Sequence, residues 1–298
     1  MDQPLRIGTR GSPLALAQAR MVADALRAAH GIETELVPIT TSGDVIQDRP
    51  LAEVGGKSLW TKELDRCLLD GRTDLSVHSM KDVETNRPEP LGIAAMLPRA
   101  PAGDRLIGAQ SLDALPAGAR VGTSSPRRTA QLLARRPDLR AVPIRGNVQT
   151  RLARVERGEV EATILAAAGL ARLGIEAGVA LDWLPAPAQG AIGVEILWAR
   201  EEMRELLEAI DDRYTHGCVG AERLFLARLG GTCHSAVAAQ ATGVADQMKL
   251  QAEILSPDGR EVRRIERDIS EDEGRTPGDV ARELLESASP ALRALFAG

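Results

Sequence analysis

One short motif occurs twice in this chain, and each copy predicts a strand that leads directly into a helix. The first copy reads Arg6-Ile-Gly-Thr-Arg-Gly-Ser-Pro13, and the second, one residue shorter, reads Arg120-Val-Gly-Thr-Ser-Ser-Pro126. In both, Ser-Pro places a good N-cap residue before a proline at the first helical position, where a backbone N–H is not needed. The repeat therefore predicts two similar α/β domains.

Hydrophobic patterning around both copies favours alternating strands and helices. Near the first copy, it predicts strands at Leu5–Thr9, Thr34–Ile39 and Asp74–His78, and helices from Ser12 to about Ala29 and over roughly Ser58–Asp70. After the second copy, it predicts a strand at Ala141–Ile144, a helix at Asn147–Arg157 and a strand at Glu161–Ala166. This order is typical of sheets that carry helices on their faces.

Two proline-bearing segments, Leu97–Gly103 and Leu184–Ala188, bracket the second predicted domain. Beyond the second segment, Ala191–Ile196 has a strand pattern and is expected to return to the first sheet. We therefore predict a discontinuous first domain, residues 1–98 and 189–210, and an inserted second domain, residues 99–188. A cleft outside the carboxyl ends of the strands is the expected ligand site.

The pattern changes from about Asp212, and residues 211–298 are predicted to form a small α+β third domain. Its expected elements are a helix near Ala221–Arg228, strands at Ala236–Thr242, Met248–Leu255 and Glu261–Asp268, and a final helix over about Pro277–Ser287. The predicted fold class is α/β, with two similar domains of the periplasmic-binding-protein type, a central cleft and this small C-terminal domain.

A local excess of arginine marks the second domain. Between Arg120 and Arg157 lie ten arginines, two acids and no lysine, a net charge of +8 in a chain whose net charge is −5. If Ser125 caps a helix, Arg127 and Arg128 fall in its first turn, where free N–H groups and guanidinium forks favour an anion. The alternative is a pair of solvated surface arginines.

Arg145 and Arg151 repeat this design at the next strand-to-helix turn. Arg145 occupies the turn, and Asn147 is placed to cap the following helix. The expected buried stripe of that helix, which Arg151 flanks, consists of Val148, Leu152 and Val155. The alternative role for Arg151 is a salt-bridged structural arginine. A solvated face is expected for Arg135, Arg136, Arg154 and Arg157.

Ser79, Lys81 and Asp82 follow the predicted strand at Asp74–His78, where functional groups are commonly placed in α/β folds. Asp82 is the best acid candidate among the polar turns of the first domain. The alternative is that Lys81 and Asp82 form a plain surface ion pair.

The three cysteines, Cys67, Cys218 and Cys233, are far apart and lack metal-ligand spacing, so no metal site is predicted. Cys233 follows Gly230 and Gly231 in a turn after a helix, a setting in which a thiol is able to react. The alternative for Cys233 is a small buried hydrophobe, a role that suits Cys67 and Cys218 better.

Composition excludes several classes of protein. Two Phe, one Tyr and three Trp supply few platforms for stacking bases, and the net charge of −5 disfavours nucleic acid. No run approaches about 18 apolar residues, so no membrane span is expected. The N-terminal sequence lacks a secretory pattern, and a reduced, cytoplasmic protein is expected.

Taken together, the motifs resemble the porphobilinogen deaminase (hydroxymethylbilane synthase) family over essentially the whole chain. They are RIGTRGSPLALAQ, TSGD, VGGK, DLSVHSMKDV, VGTSSPRR, IRGNVQTR, ILAAAGLARLG, QGAIGVE and ERLFLARLGGTC. The resemblance implies a transferase of tetrapyrrole and heme biosynthesis. Such an enzyme joins four porphobilinogen molecules head to tail, releases ammonia at each step, and hydrolyses off the linear product hydroxymethylbilane.

The resemblance also implies a dipyrromethane cofactor, held through a thioether to Cys233, and catalysis by Asp82 together with Lys81. The positions that match substrate- or cofactor-binding residues are Arg10, Ser12, Lys57, Ser79, Lys81, Thr123, Ser125, Arg127, Arg128, Arg145, Gly146, Arg151, Arg172 and Gln189. Each pyrrole ring carries an acetate and a propionate, which supplies an anionic ligand for the arginines.

The chain departs from the common family pattern at several positions, which are Ser58 to Trp60, Glu84, Pro126 and Ala188. Its expected partners are porphobilinogen and the growing polypyrrole chain, and a monomer is expected. The competing hypothesis is a non-catalytic two-domain protein that binds a polycarboxylate.

Overall fold

The computed structural model describes residues 3–45, 60–231, 235–244, 247–270 and 274–296. The chain divides into two compact units. Unit 1 comprises Met1–Ala100 with Gly190–His216, and unit 2 comprises Pro101–Gln189 with Gly217–Gly298. Within the described ranges, no helix has the length and apolar character needed to cross a membrane.

The strands, in chain order, are β1 (Leu5–Arg10), β2 (Thr34–Ile39), β3 (Leu75–Ser79), β4 (Leu91–Met96), β5 (Asp104–Ile107), β6 (Arg120–Gly122), β7 (Arg140–Val142), β8 (Ala162–Ala166), β9 (Val179–Leu181), β10 (Ile192–Leu197), β11 (Val237–Thr242), β12 (Met248–Leu255) and β13 (Val262–Ile269).

The helices are α1 (Pro13–His30), α2 (Ser42–Val45), α3 (Lys62–Leu69), α4 (Pro126–Arg135), α5 (Val148–Glu156), α6 (Ala167–Arg172), α7 (Glu201–Glu208), α8 (Arg213–Arg228), α9 (Pro277–Glu286) and α10 (Pro290–Ala294). A short 3₁₀-helix spans Met80–Asp82, directly after β3.

Unit 1 contains a five-stranded sheet in the order β2-β1-β3-β10-β4. β1 runs parallel to β2 and β3, whereas β10 runs antiparallel to both β3 and β4. The predicted return of the chain to the first sheet is therefore confirmed. Apolar side chains from β1, β3 and β10 pack against α1 and α7 in the core of the unit.

Unit 2 contains a second five-stranded sheet, in the order β7-β6-β8-β5-β9. β6 runs parallel to β7 and β8, and β5 runs antiparallel to β8 and β9. The two sheets thus share one arrangement, with a single antiparallel strand in the fourth position. The α/β class with two similar domains is confirmed.

Both copies of the repeated motif form the predicted helix start. The Ser12 hydroxyl accepts a hydrogen bond of 3.3 Å from the Ala15 N–H, and the Ser125 hydroxyl accepts one of 3.4 Å from the Arg128 N–H. Each serine is followed by a proline in the first helical turn. These caps satisfy donors that a helix start leaves unpaired, and they fix where α1 and α4 begin.

The C-terminal part of unit 2 is a three-stranded antiparallel sheet, in the order β11-β12-β13, covered by α8 and α9. The small α+β domain is confirmed. The prediction that its first helix begins near Ala221 was wrong, because α8 begins at Arg213. Gly217 and Gly220 weaken the helical pattern of this stretch, but burial of Cys218 and Phe225 against the sheet outweighs their low propensity.

The predicted buried stripe of α5 is only half-buried. Val148 and Leu152 pack against a small cluster of Ile107, Leu165 and Leu170, away from the main core of sheet β7-β6-β8-β5-β9. The side chains keep partial exposure because this cluster is too small to cover the whole apolar face of the helix.

Candidate active site

A pocket in unit 1 lies at the carboxyl edge of its parallel strands. β1 and β3 are neighbours in the sheet, so the segments that follow them meet at this edge. The pocket is lined by Arg10, Ser12, Leu14, Ala15, Gln18, Trp60, Thr61, Val77, His78, Ser79, Asp82 and Val83. We call it the Asp82 pocket.

The structure brings four of the predicted site residues together at the Asp82 pocket, namely Arg10, Ser12, Ser79 and Asp82. Asp82 is half-buried and ends the 3₁₀-helix. Lys81 is half-buried in the same turn and does not line the pocket. A carboxylate, a guanidinium group and two hydroxyls thus surround one small space, which suits a ligand with both N–H donors and acidic groups.

Two pocket contacts were missed by the sequence reasoning. In the Gln18 amide, Nε2 lies 2.8 Å and Oε1 lies 3.0 Å from the hydroxyl oxygen of Ser79. The Trp60 ring stacks on the Arg10 guanidinium, 4.0 Å from the ring centroid, and so holds this fork by a cation–π contact. Gln18 is a polar residue on the buried face of α1, and this pattern in the sequence could have predicted a role in the site.

Beside the Asp82 pocket lies a buried set of charged groups, which we call the Arg87 cluster: Asp65, His78, Glu84, Arg87 and Glu195. Arg87 contacts all three carboxylates, and His78 Nε2 lies 3.1 Å from Glu195 Oε2. The sequence reasoning missed this cluster because its members come from α3, β3, β10 and the stretch after Asp82.

Burial and charge act in opposite directions within the Arg87 cluster. Burial disfavours the Glu195 carboxylate, but hydrogen bonds and charge from His78 and Arg87 outweigh it and lower the pKa of Glu195 to about 2. Burial raises the pKa of Asp65 to about 6, against the charge of Arg87. Glu195 therefore stays ionised down to a much lower pH than Asp65 does.

In unit 2, Arg127 and Arg128 lie in the first turn of α4, as predicted, but their side chains are buried. Both guanidinium groups bind Asp104. Arg127 Nη1 donates to Asp104 Oδ2 at 2.8 Å, and Arg128 Nη2 donates to Asp104 Oδ1 at 2.7 Å. The solvated-surface alternative is therefore wrong, and the carboxylate of Asp104 holds the two forks side by side.

Asp104 also accepts hydrogen bonds from Trp183 Nε1 at 2.9 Å and Gln189 Nε2 at 2.8 Å. Burial opposes ionisation of this carboxyl, but the charges of Arg128 and Arg127 hold the pKa of Asp104 well below its usual range. Gln189, a predicted site residue, is thus fixed by the same carboxylate as the arginines. Asp104 itself was not predicted.

The remaining predicted residues of unit 2 lie around two strand-to-helix turns, except Arg172, which ends α6. Thr123 is buried, and its hydroxyl accepts a hydrogen bond of 3.2 Å from the Ser125 N–H. Gly146 has a φ of +103°, a left-handed conformation that favours glycine. Arg151 Nε donates to the Gly146 carbonyl at 3.0 Å, close to the half-buried Arg145. Burial lowers the pKa of Arg172 to about 10.

Of the arginines that we expected on a solvated face, Arg135 and Arg157 are exposed, whereas Arg136 and Arg154 are half-buried. Arg136 pairs with Asp138 at 2.6 Å, and Arg157 pairs with Glu159 at 2.7 Å. Arg154 lies 3.7 Å from the same Glu159. Arg135 is exposed and stacks on Trp183 at 5.3 Å.

Lys57 and Cys233 lie outside the described residues. The helix before Cys233 ends with Gly230 in the left-handed conformation, φ +69°, as its glycines suggest. Cys67 and Cys218 are buried thiols, which confirms their expected role as small hydrophobes. Burial raises the pKa of the Cys67 thiol, which makes it less reactive.

The residues of unit 2 fit a ligand that carries carboxylates, as a dipyrromethane does. The Nε atoms of Arg127 and Arg128 are buried and have no hydrogen-bond partner among the described residues. Buried donors without partners are rare, and a carboxylate is the acceptor that suits a guanidinium group best.

Each of the two α/β sheets carries polar and charged residues in the turns that follow its parallel strands, which is where α/β proteins commonly bind ligands. The family model described as porphobilinogen deaminase, dipyromethane cofactor binding domain, matches residues 5–205, and that of the porphobilinogen deaminase C-terminal domain matches residues 216–286. The chain belongs to the porphobilinogen deaminase family.

Similar proteins extend over nearly the whole chain. The porphobilinogen deaminase of Sphingopyxis alaskensis is 51% identical, covering 99% of this chain and 98% of the relative. That of Paracoccus denitrificans is 49% identical, covering 97% of this chain and 96% of the relative. A solved structure, immunogenic lipoprotein A from Vibrio vulnificus, is 14% identical with a TM-score of 0.44, covering 74% of this chain and 99% of that one.

Proposed function

We propose that this chain condenses four porphobilinogen molecules head to tail, and that Asp82 is the catalytic carboxylate. Each condensation releases one ammonia, and a final hydrolysis frees the linear tetrapyrrole hydroxymethylbilane. Membership of the family supports the reaction. The observation that carries the assignment of Asp82 is its place at the carboxyl edge of the sheet, in one pocket with Arg10, Ser12 and Ser79.

The carboxylate of Asp82 has two tasks in this proposal. Loss of ammonia from the aminomethyl group of porphobilinogen leaves a cationic pyrrole, and a fixed negative charge beside it lowers the energy of the transition state. The same carboxylate accepts hydrogen bonds from pyrrole N–H groups and so orients the ring. Lys81, in the adjacent position, is proposed to contribute positive charge toward the acidic groups of the substrate.

The arginines of unit 2 are proposed to hold the acetate and propionate groups. Arg127 and Arg128 are fixed in register by Asp104, which reduces their combined charge without occupying Nε of either side chain. Arg145, Arg151 and Arg172 are proposed to extend this surface, and each charge-assisted hydrogen bond contributes about 1.5–3 kcal/mol. The dipyrromethane cofactor, bound through Cys233, supplies the pyrrole end to which each new unit is joined.

The three-domain division, with its boundaries at residues 98, 188 and 210, remains our proposal, as do a monomeric state and a cytoplasmic location. The buried thiols of Cys67 and Cys218 support a reducing compartment.

The reaction is tested by incubating the purified protein with porphobilinogen and measuring ammonia and the porphyrin colour that develops after oxidation. Asp82→Asn removes only a charge, so we expect a folded protein with a thermal midpoint close to wild type and turnover reduced by about 10²-fold or more. Asp24→Asn, on the exposed face of α1, is the matched control.

Near-normal turnover of Asp82→Asn would contradict the assigned role. Binding of porphobilinogen by the wild-type protein without release of ammonia would instead support the polycarboxylate-binding hypothesis, which the family match does not favour.

A further inference from the structure

We infer that Arg87 is a positioning residue, which fixes the backbone around Asp82 by tying both ends of that segment to Glu195. The inference rests on the proposed catalytic role of Asp82. Arg87 does not line the Asp82 pocket, and no role has been assigned to it above.

The first observation is how completely Arg87 is engaged. Its side chain is 6% exposed, and its Nε donates to Glu195 Oε1 at 2.6 Å. Its Nη2 donates to Asp65 Oδ1 at 2.5 Å, and its Nη1 donates to Glu84 Oε2 at 2.6 Å. One guanidinium fork therefore joins α3, β10 and the stretch after the 3₁₀-helix, a geometry that the compact ammonium of lysine does not reproduce.

The second observation is the place of Asp82 between two anchors on one carboxylate. Upstream, His78 Nε2 lies 3.1 Å from Glu195 Oε2. Downstream, Arg87 binds Glu195 and also Glu84, which stands two residues after Asp82. The chain from His78 to Arg87 is therefore held at both ends by Glu195, whose side chain is fully buried in β10.

The third observation is that the 3₁₀-helix itself has few internal bonds. It spans Met80–Asp82, and the Val83 N–H donates to the Met80 carbonyl at 3.3 Å. Short 3₁₀ segments have little stability of their own. The Arg87 cluster fixes this 3₁₀-helix from outside. The Met80 side chain, which packs over Gly193 of β10, contributes to the same effect.

The three acids of the cluster lie on different elements, and this makes Glu84 the best position at which to test the contacts of the segment. Asp65 and Glu195 belong to the elements packed beneath the segment, whereas Glu84 belongs to the segment itself. Thr61 at the start of α3 also donates to Glu84 Oε2 at 3.1 Å. Loss of the Glu84 charge therefore weakens the two contacts that hold the segment closest to Asp82, those with Arg87 and Thr61, while Arg87 stays paired with Asp65 and Glu195.

The test uses Glu84→Gln, Arg87→Lys and Arg87→Met in the full-length protein. The control is Arg200→Met, which removes a half-buried partner of Asp74 (3.2 Å) elsewhere in unit 1. For Glu84→Gln we expect kcat with porphobilinogen to fall roughly 10- to 100-fold, because small misplacements of a catalytic group have effects of this size. KM should change less than about 3-fold, since the carboxylate-binding groups are untouched.

A second readout needs no substrate. Amide hydrogen exchange at Met80, Asp82 and Val83 should be faster in Glu84→Gln by on the order of 10-fold or more, and unchanged in Arg200→Met. Arg87→Lys should recover part of the kcat lost in Arg87→Met. If Arg87→Met does not fold, Glu84→Gln and Arg87→Lys still decide the matter.

Unchanged kcat and unchanged exchange in both Glu84→Gln and Arg87→Lys, each folded, would overturn the inference. A wild-type protein that releases no ammonia would overturn the proposed function instead, and the exchange measurement would still report on the positioning of the segment.

Discussion

Gln131 and Glu253 share a buried hydrogen bond of 3.1 Å between the amide Nε2 and the carboxylate Oε1. Gln131 lies in α4, one turn behind Arg127, and its Oε1 accepts a hydrogen bond of 2.9 Å from Arg127 Nη1. Glu253 lies in β12 of the C-terminal sheet. The carboxylate thus sets the orientation of the amide, and the amide in turn supports an arginine of the candidate carboxylate site.

Gln131→Leu tests this relationship. It keeps the volume of the side chain but leaves Arg127 and Glu253 each one hydrogen bond short in a buried site, so we expect a loss of about 1–3 kcal/mol in unfolding free energy. KM for porphobilinogen should rise as well, because the Arg127 fork loses a support. Urea unfolding and steady-state kinetics measure the two effects. Gln110→Leu, at an exposed position, should change neither.

Ala188 has a φ of +62°, in the left-handed region that normally favours glycine, and its N–H donates to Glu222 Oε2 at 2.6 Å. Ala188→Gly relieves about 1–2 kcal/mol of backbone strain, which offsets the lost methyl burial and the added chain entropy. We expect unfolding free energy within about 1 kcal/mol of wild type. Ala191→Gly is the control.

Ala191 is equally buried but has an ordinary φ, so its change to glycine should destabilise by about 1–2 kcal/mol. Equal losses for the two variants, measured by thermal unfolding, would show that Ala188 is not strained.

Acid should destabilise the protein through Glu195. The folded-state pKa of Glu195 is about 2, below its ordinary value of 4.5, so the folded state binds fewer protons than the unfolded one between these values. The ionised Glu195 carboxylate contributes on the order of 3 kcal/mol to the free energy of unfolding above pH 4.5. This contribution is lost as the pH falls toward 2. Urea midpoints at pH 7, 4.5 and 3 measure this loss.

Glu195→Gln should be less stable than wild type at pH 7, because Arg87 loses a buried partner, and its stability should fall less steeply below pH 4.5. Glu205→Gln, at an exposed site in α7, should follow the wild-type curve. Parallel acid curves for wild type and Glu195→Gln would contradict the role of Glu195.

The proposed thioether to Cys233 predicts the mass of the purified protein. Intact-mass spectrometry should find the sequence mass plus two pyrrole units in active protein, and the bare mass in inactive Cys233→Ser. Cys218→Ser should keep the added mass, since that thiol is buried in the core of the C-terminal sheet. Active protein of bare sequence mass would exclude the covalent cofactor.

The elements best predicted from the sequence are those whose start carries a local signal. Ser12 and Ser125 each cap a helix and are followed by proline, so α1 and α4 begin where expected. β4 was not predicted, because Leu91–Met96 alternates weakly and contains a glycine that a helix or a loop also accepts. Its strand conformation comes from pairing with β10, about a hundred residues later.

The candidate site was predictable where a motif places its residues in one turn, as for Ser79 and Asp82. It was not predictable where a partner lies far along the chain. Asp104 is the first residue of β5, directly after the crossing segment, and nothing local distinguishes it from a surface acid. Only the fold shows that it lies between Arg127 and Arg128, at distances of 2.8 and 2.7 Å.

The discontinuous sheet of unit 1 also constrains how the chain is made. Among the described strands, β4 pairs with β10 alone, so during synthesis it has no neighbour until Ile192–Leu197 has left the ribosome. Sheet β7-β6-β8-β5-β9 is complete once β9 emerges, and β9 ends at Leu181, ahead of all of β10. Since domains fold as units during translation, the sheet of unit 2 reaches its final pairing before the sheet of unit 1 does.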